Sequence, residues 1–238
     1  MSSSTPWLLL AATALALLTG RAAIAHTAWL EADPQGSGYI VRFGGHAGVL
    51  ENYPAEKLRE VTALDSRGQP LAITRDDRDS GVRLAPQGEP ALMTLFFDNG
   101  YWSRLPNGRS ENLPMDQLPG AVSAVRAVKH HKYIAHWDEL ASQAQGQPFE
   151  LVPVSGGAPA AGETLTLQVL IDGQPAAGIA LAFDGAGEDA VSDARGYATL
   201  TARPGVNRIW AGQRLPVADN PQFTELSIEY SLVFHALD

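Results

Sequence analysis

Six histidines, His26, His46, His130, His131, His136 and His235, carry most of the chemistry this chain can offer. The chain has no cysteine, which excludes disulfides, thiolate ligands and cysteine nucleophiles. Any metal must be held by imidazole, carboxylate or backbone groups. His26 has the most distinctive setting. It follows Ala23-Ile24-Ala25, with small residues at both positions a signal peptidase reads, behind an uncharged apolar run from Trp7 to Leu18. Cleavage after Ala25 makes His26 the first residue of the mature protein. An N-terminal histidine carries an α-amine and an imidazole, with unperturbed pKa values of about 8 and about 6.5, so a metal can displace both protons at small cost. Together they chelate a divalent ion. One further imidazole completes a three-nitrogen site suited to nickel, cobalt or copper.

His46 lies in Phe43-Gly44-Gly45-His46-Ala47-Gly48, where flanking glycines let the backbone approach a ligand closely. Three more histidines fall in Val128-Lys129-His130-His131-Lys132-Tyr133-Ile134-Ala135-His136-Trp137. On a strand, His130 and His136 face the same way but lie roughly 20 Å apart, while His131 faces the opposite side. They cannot form a site among themselves, so His130 or His131 can only join one completed from elsewhere, with His26 and His46 as the natural donors. Lys129 and Lys132 would oppose a cation placed nearby. The same segment also fits a pH-sensitive surface patch. His235 reads as structural. Carboxylates offer little: Asp76-Asp77-Arg78-Asp79 lacks the glycine and distant glutamate of an EF-hand loop. No nucleophile elbow, phosphate loop, H-E-x-x-H or dinucleotide fingerprint is present, and the expectation is a binding protein rather than an enzyme. Tyr101-Trp102 is an aromatic pair able to line a pocket.

The elements that must position these residues read as all-β. Tyr39–Phe43, Val82–Leu84, Ala91–Phe97 and Val122–Ile134 have strand character. Val61–Asp65 and Leu71–Thr74 face each other across Ser66–Pro70 as a predicted hairpin. Asn52–Leu58 suggests one helical turn with Pro54 near its start, and Trp137–Gln145 a short helix ended by Gly146. Gly100 to Gly120, rich in Pro, Asn and Gly, is expected to be one long loop. Pro153 to Gly162 is small, uncharged and breaker-rich. The expected organisation is therefore a leader at 1–25, a β-rich domain at 26–152, a linker at 153–162 and a β-sandwich at 163–238. In the last, Asp172-Gly173, Asp193–Gly196 and Pro204-Gly205 punctuate short strands that end with Glu225–Phe234.

Removing the leader removes Arg21 and shifts the formal net charge from −9 to −10. Such acidity repels phosphate backbones, so nucleic acid is excluded as an expected partner. No apolar stretch of the mature chain reaches the ~20 residues of a membrane span. The expectation is an exported, periplasmic protein with no transmembrane segment.

His26-Thr-Ala-Trp-Leu-Glu, Val41-Arg-Phe-Gly-Gly, Phe97-Asp-Asn-Gly-Tyr-Trp and Lys129–Tyr133 together resemble an exported two-domain family of the DUF type, the NikK-like periplasmic components of nickel and cobalt uptake. Asp172–Gly178 and Ser192–Ala198 are similar to the carboxypeptidase-regulatory or transthyretin-like sandwich at that family's C-terminus. The chain departs from that pattern at Gly45, where an acidic residue is expected. The resemblance implies two Ig-like or transthyretin-like β-sandwich domains. It also implies a nickel or cobalt ion bound through His26 and His46, with His130 or His131, and a membrane metal transporter as partner. An N-terminal histidine on a β-sandwich is similar to copper-handling proteins as well. The C-terminal sandwich alone also suits an adhesion or scaffolding module that binds no metal.

Overall fold

A computed structural model describes residues 26–36, 38–45, 49–78, 81–184 and 187–238. The expected leader at 1–25 and His46 lie outside them. The strands, in chain order, are β1 (Thr27–Ala32), β2 (Tyr39–Gly44), β3 (Leu58–Leu64), β4 (Ile73–Asp76), β5 (Arg83–Pro86), β6 (Leu92–Arg104), β7 (Ser110–Glu111), β8 (Ser123–Ile134), β9 (Phe149–Pro153), β10 (Thr164–Ile171), β11 (Gln174–Pro175), β12 (Ala180–Phe183), β13 (Ala190–Val191), β14 (Tyr197–Thr201), β15 (Val206–Pro216) and β16 (Glu225–His235). The remaining regular structure among the described residues is short 3-10 helix, including Ala55–Lys57 after Pro54 and Glu139–Ser142 after Asp138. The chain is all-β, with sheets packed face to face.

A long central sheet, ordered β13-β12-β15-β16-β8-β6-β3 with β7 beside β6, forms the middle layer. Strand alternation gives it two buried faces. On β16, Ile228, Tyr230, Leu232 and Phe234 join a core with Phe149, Leu151, Leu165, Leu167 and Val169 of β9 and β10. The opposite face of β8 and β6 presents Tyr133, Met93, Leu95 and Phe97 to Leu30, Val41, Phe43 and Leu84 of the sheet β1-β2-β5-β4. The third sheet, β9-β10-β14 with β11, covers the first face.

The two halves of the chain meet inside the central sheet. β8 and β16 pair in parallel from Val125 opposite Glu225 to Ile134 opposite Phe234. The 153–162 stretch, expected as an interdomain linker, joins β9 to β10, which pair antiparallel. Phe149–Pro153 thus shares a sheet with strands of the second half.

Two expectations about the first half are corrected. Val61–Asp65 and Leu71–Thr74 do turn about Ser66–Pro70, and Leu71 N–H donates to Ala63 O at 2.8 Å. The strands then part: β3 pairs with β6 and β4 with β5, in different sheets. Pro70 helps end the ladder because it has no N–H to donate. Gly100 to Gly120 is not one long loop either. β6 runs on through Tyr101 and Trp102 to Arg104, past a bulge between Asp98 and Gly100, and turns back into β7. Gly100 sits at φ 81 in that bulge, a left-handed conformation glycine adopts without strain. Asp172-Gly173 forms the tight β10–β11 turn, with φ 49 and φ 72 as a primed hairpin turn requires.

Candidate functional site

β1 is an edge strand of its sheet and lies across β8 and β16. Side chains of the central sheet satisfy its unpaired edge. The Leu30 N–H donates to His131 Nε2 at 3.1 Å, and Ser231 Oγ donates to Ala28 O at 2.6 Å. His131 Nδ1 lies 2.8 Å from both the carbonyl and the hydroxyl oxygen of Ser231. Nε2 accepts, so the proton sits on Nδ1 and the ring is neutral. Burial pushes this histidine down to about 3.

This strap fixes the start of β1, where His26 stands. The His26 imidazole stacks on Phe43 at 5.7 Å, and Phe43 stacks on Phe97 at 4.9 Å. Tyr53 meets both phenylalanines edge-on, and its hydroxyl bridges Val41 O and Val82 N. His26 Nε2 lies 2.6 Å from Glu51 Oε1. A carboxylate can only accept, so Nε2 carries a proton, and in the neutral ring Nδ1 then holds the lone pair. Nδ1 is the ring nitrogen nearer the backbone. Glu51 therefore acts on the imidazole as an outer carboxylate acts on a metal-bound histidine, setting tautomer and ring orientation.

His26, Phe43 and Glu51 form the mouth of a cleft of about 370 Å3. Its floor is the part of β8 and β16 that carries Lys129 and Glu229, which are neighbours across the parallel pair. Both are buried, with Lys129 Nζ 2.8 Å from Glu229 Oε2. Burial pulls the Lys129 ammonium below the usual lysine range, against the pull of Glu229. Trp102, Asn99, Lys57 and Arg214 complete the walls. Lys57 Nζ donates to Asn99 Oδ1 at 2.9 Å, and burial lowers it too.

A family model described as a domain of unknown function, DUF4198, matches residues 23–212. The chain belongs to this family. An uncharacterized protein of Haemophilus influenzae is similar to this DUF4198 chain, 33% identical over 224 residues that cover 93% of this chain and 95% of the relative. The family match takes in the mouth of the cleft and β8 and ends within β15, before Arg214 and β16.

Of the four histidines expected as ligands in this DUF4198 chain, the structure places His26 on the cleft and sends two others elsewhere. His131 has both ring nitrogens engaged in the β1 strap. His130 faces the opposite side of β8, stacked on Phe96 at 5.0 Å, and lines a separate cavity with Gln147. Burial holds His130 down to about 4. His46 lies outside the described residues, as stated. With His130 and His131 buried, the segment does not form a surface patch. His136 is exposed beside Glu89, and His235 is exposed at the end of β16.

Lys129 and Lys132, expected to repel a cation, are each neutralised by a buried carboxylate, Glu229 and Glu150. Among the described residues no group of three His, Asp or Glu is arranged to hold a metal. The residue that sequence reasoning missed is Glu51. Its signal was position alone, just beyond the glycine loop that follows β2.

Proposed function

We propose that this protein is an exported binding protein for a divalent transition metal, nickel or cobalt, which it holds at its N-terminus for a membrane uptake system. The ion is cargo. The supporting observation is the His26–Glu51 contact: the carboxylate occupies Nε2 and the Phe43 stack orients the ring, which leaves Nδ1 as the ring nitrogen for a metal. Once cleavage after Ala25 frees the amine, amine and Nδ1 close a chelate on one ion, with His46 as the expected further donor. His130 and His131 are not part of this ligand set. Metal must displace protons from these nitrogens, so binding weakens as pH falls.

Two measurements test the reading. The intact mass of the exported protein, taken under native conditions, gives the new N-terminus and any retained metal. Calorimetry with nickel then compares the mature protein with a form carrying one extra residue before His26. Tight binding by the first and its loss in the second are expected. Equal affinities would overturn the proposal. Copper binds such nitrogen sites more tightly than nickel in vitro. Growth dependence on each metal therefore decides between the nickel or cobalt reading and the copper one.

A further inference from the structure

The cleft below His26 has the wrong charge for a bare cation. Lys57, Lys129 and Arg214 line it against only two carboxylates, Glu51 and Glu229. The lining itself thus carries three cationic side chains against two carboxylates, with Glu225 beside Arg214 just outside it, in a chain whose net charge is −9. A site evolved around an unaccompanied divalent ion would show the opposite balance.

The two buried ion pairs of β8 differ in how many hydrogen-bond donors they leave open. The Glu150 carboxylate takes Lys132 at 3.0 Å together with the backbone N–H groups of Gln145 and Gly146, and Lys132 also donates to Gln143 O. That pair is buried between sheets, and each member has a further partner. Lys129 is different. Its ammonium has three donors, yet Glu229 is its one partner among the described residues, and the pair faces the cleft. Lys57 donates to the neutral Asn99, rests 5.7 Å from the Trp102 ring centroid and makes no ion pair among the described residues. Arg214 meets Glu225 only loosely, at 3.7 Å, with half of its side chain exposed. A volume of about 370 Å3 is at the small end of ligand sites. The histidine chelate also leaves coordination positions on the metal unfilled.

We infer that the cleft takes the metal as a complex with a small polycarboxylate. The metal sits at His26, and the carboxylates not bound to it lie against Lys57, Lys129 and Arg214. Charge-assisted hydrogen bonds from these cations supply the recognition, and Trp102 limits the access of water to them. This inference rests on the metal-binding reading above and names the form in which the ion arrives.

Calorimetry of the mature protein in a non-chelating buffer tests it, with nickel alone and with preformed 1:1 nickel–citrate as probes. Citrate competes with a site that wants only the ion, so such a site binds the complex more weakly than nickel. The inference expects the reverse, with the complex bound about tenfold more tightly or better. The K57Q/R214Q variant is expected to lose that gain, and the K57R/R214K variant to keep it. A complex bound no better than nickel alone overturns the inference and leaves the metal-binding reading standing. A gain that persists in K57Q/R214Q overturns it as well. Failure of both probes removes both proposals together.

Discussion

His131 accepts the backbone N–H of Leu30 at 3.1 Å, although the two residues belong to different sheets. An imidazole thus takes the place of a neighbouring strand for β1. Removing it leaves the Leu30 N–H buried without an acceptor and unseats the strand that carries His26. His131→Leu is expected to lower the unfolding free energy by about 2–4 kcal/mol and to weaken nickel binding. Urea unfolding and calorimetry read the two effects. A variant as stable as the parent would show that packing alone seats β1.

The same burial makes stability depend on pH. The folded protein holds His130 at about 4 and His131 at about 3, whereas an unfolded imidazole binds its proton near 6.5. The unfolded state therefore carries more protons in between, and acid favours it. Stability from the neutral rings is complete above about pH 6.5 and is lost progressively toward pH 3–4. The slope reaches at most roughly 1.4 kcal/mol per pH unit for each histidine. Urea midpoints at pH 7, 6 and 5 should fall in that order. His131→Leu should show a shallower fall, and an unchanged slope would contradict the assignment.

Glu51 touches the His26 ring and leaves the rest of the mouth to other residues. If it orients a metal-bound imidazole, Glu51→Ala should weaken nickel binding about 10–100-fold. Both side chains are well exposed, so thermal stability should stay within about 0.5 kcal/mol of the parent. Equal affinity in Glu51→Ala would show that Phe43 is enough to set the ring.

Lys132 and Glu150 join β8 to β9 in the dry space between two sheets. Breaking such a pair leaves an uncompensated buried charge, and Glu150→Leu or Lys132→Met should each cost about 3–5 kcal/mol. The double variant Lys132→Met/Glu150→Leu should recover much of that loss, because apolar replacement of a buried pair is often close to neutral. Chemical denaturation of the four proteins forms a double-mutant cycle. Additive single effects would mean the two charges do not depend on each other.

Period-2 alternation made the all-β class readable in advance. The segments read at Tyr39–Phe43, Thr164–Leu170 and Glu225–Phe234 coincide closely with β2, β10 and β16. Alternation reports that a strand has two faces, but not which strand lies beside it. That is why Val61–Asp65 and Leu71–Thr74 read as one hairpin although they enter different sheets. Gly100 reads as the start of a long loop because a bulge and a loop use the same left-handed glycine. Only the hydrogen bonds of β8 distinguish them.

The site was legible to the extent that it depended on chemistry written in one place. His26, read directly after Ala23-Ile24-Ala25, is such a feature. Glu51 is not, because its partner is 25 residues away, and the pairing of β1 with β2 and the bond from Glu51 N–H to Phe43 O bring them together. Lys129 misled for the same reason: its charge was visible in the chain, whereas its neutralising partner Glu229 comes from a strand 100 residues later.

That distant pairing governs how the protein comes to exist. β16 supplies half of the cleft floor and the Ser231 that holds β1, so neither can form until residues 225–235 have been made and have docked. Contacts so far apart in the chain close slowly. Until those residues are made, the N-terminal half lacks its neighbour in the central sheet and β1 lacks the Ser231 hydroxyl that holds it. Assembly of the cleft then becomes a late event, and a product truncated before β16 would have the histidine but nothing to hold it in place.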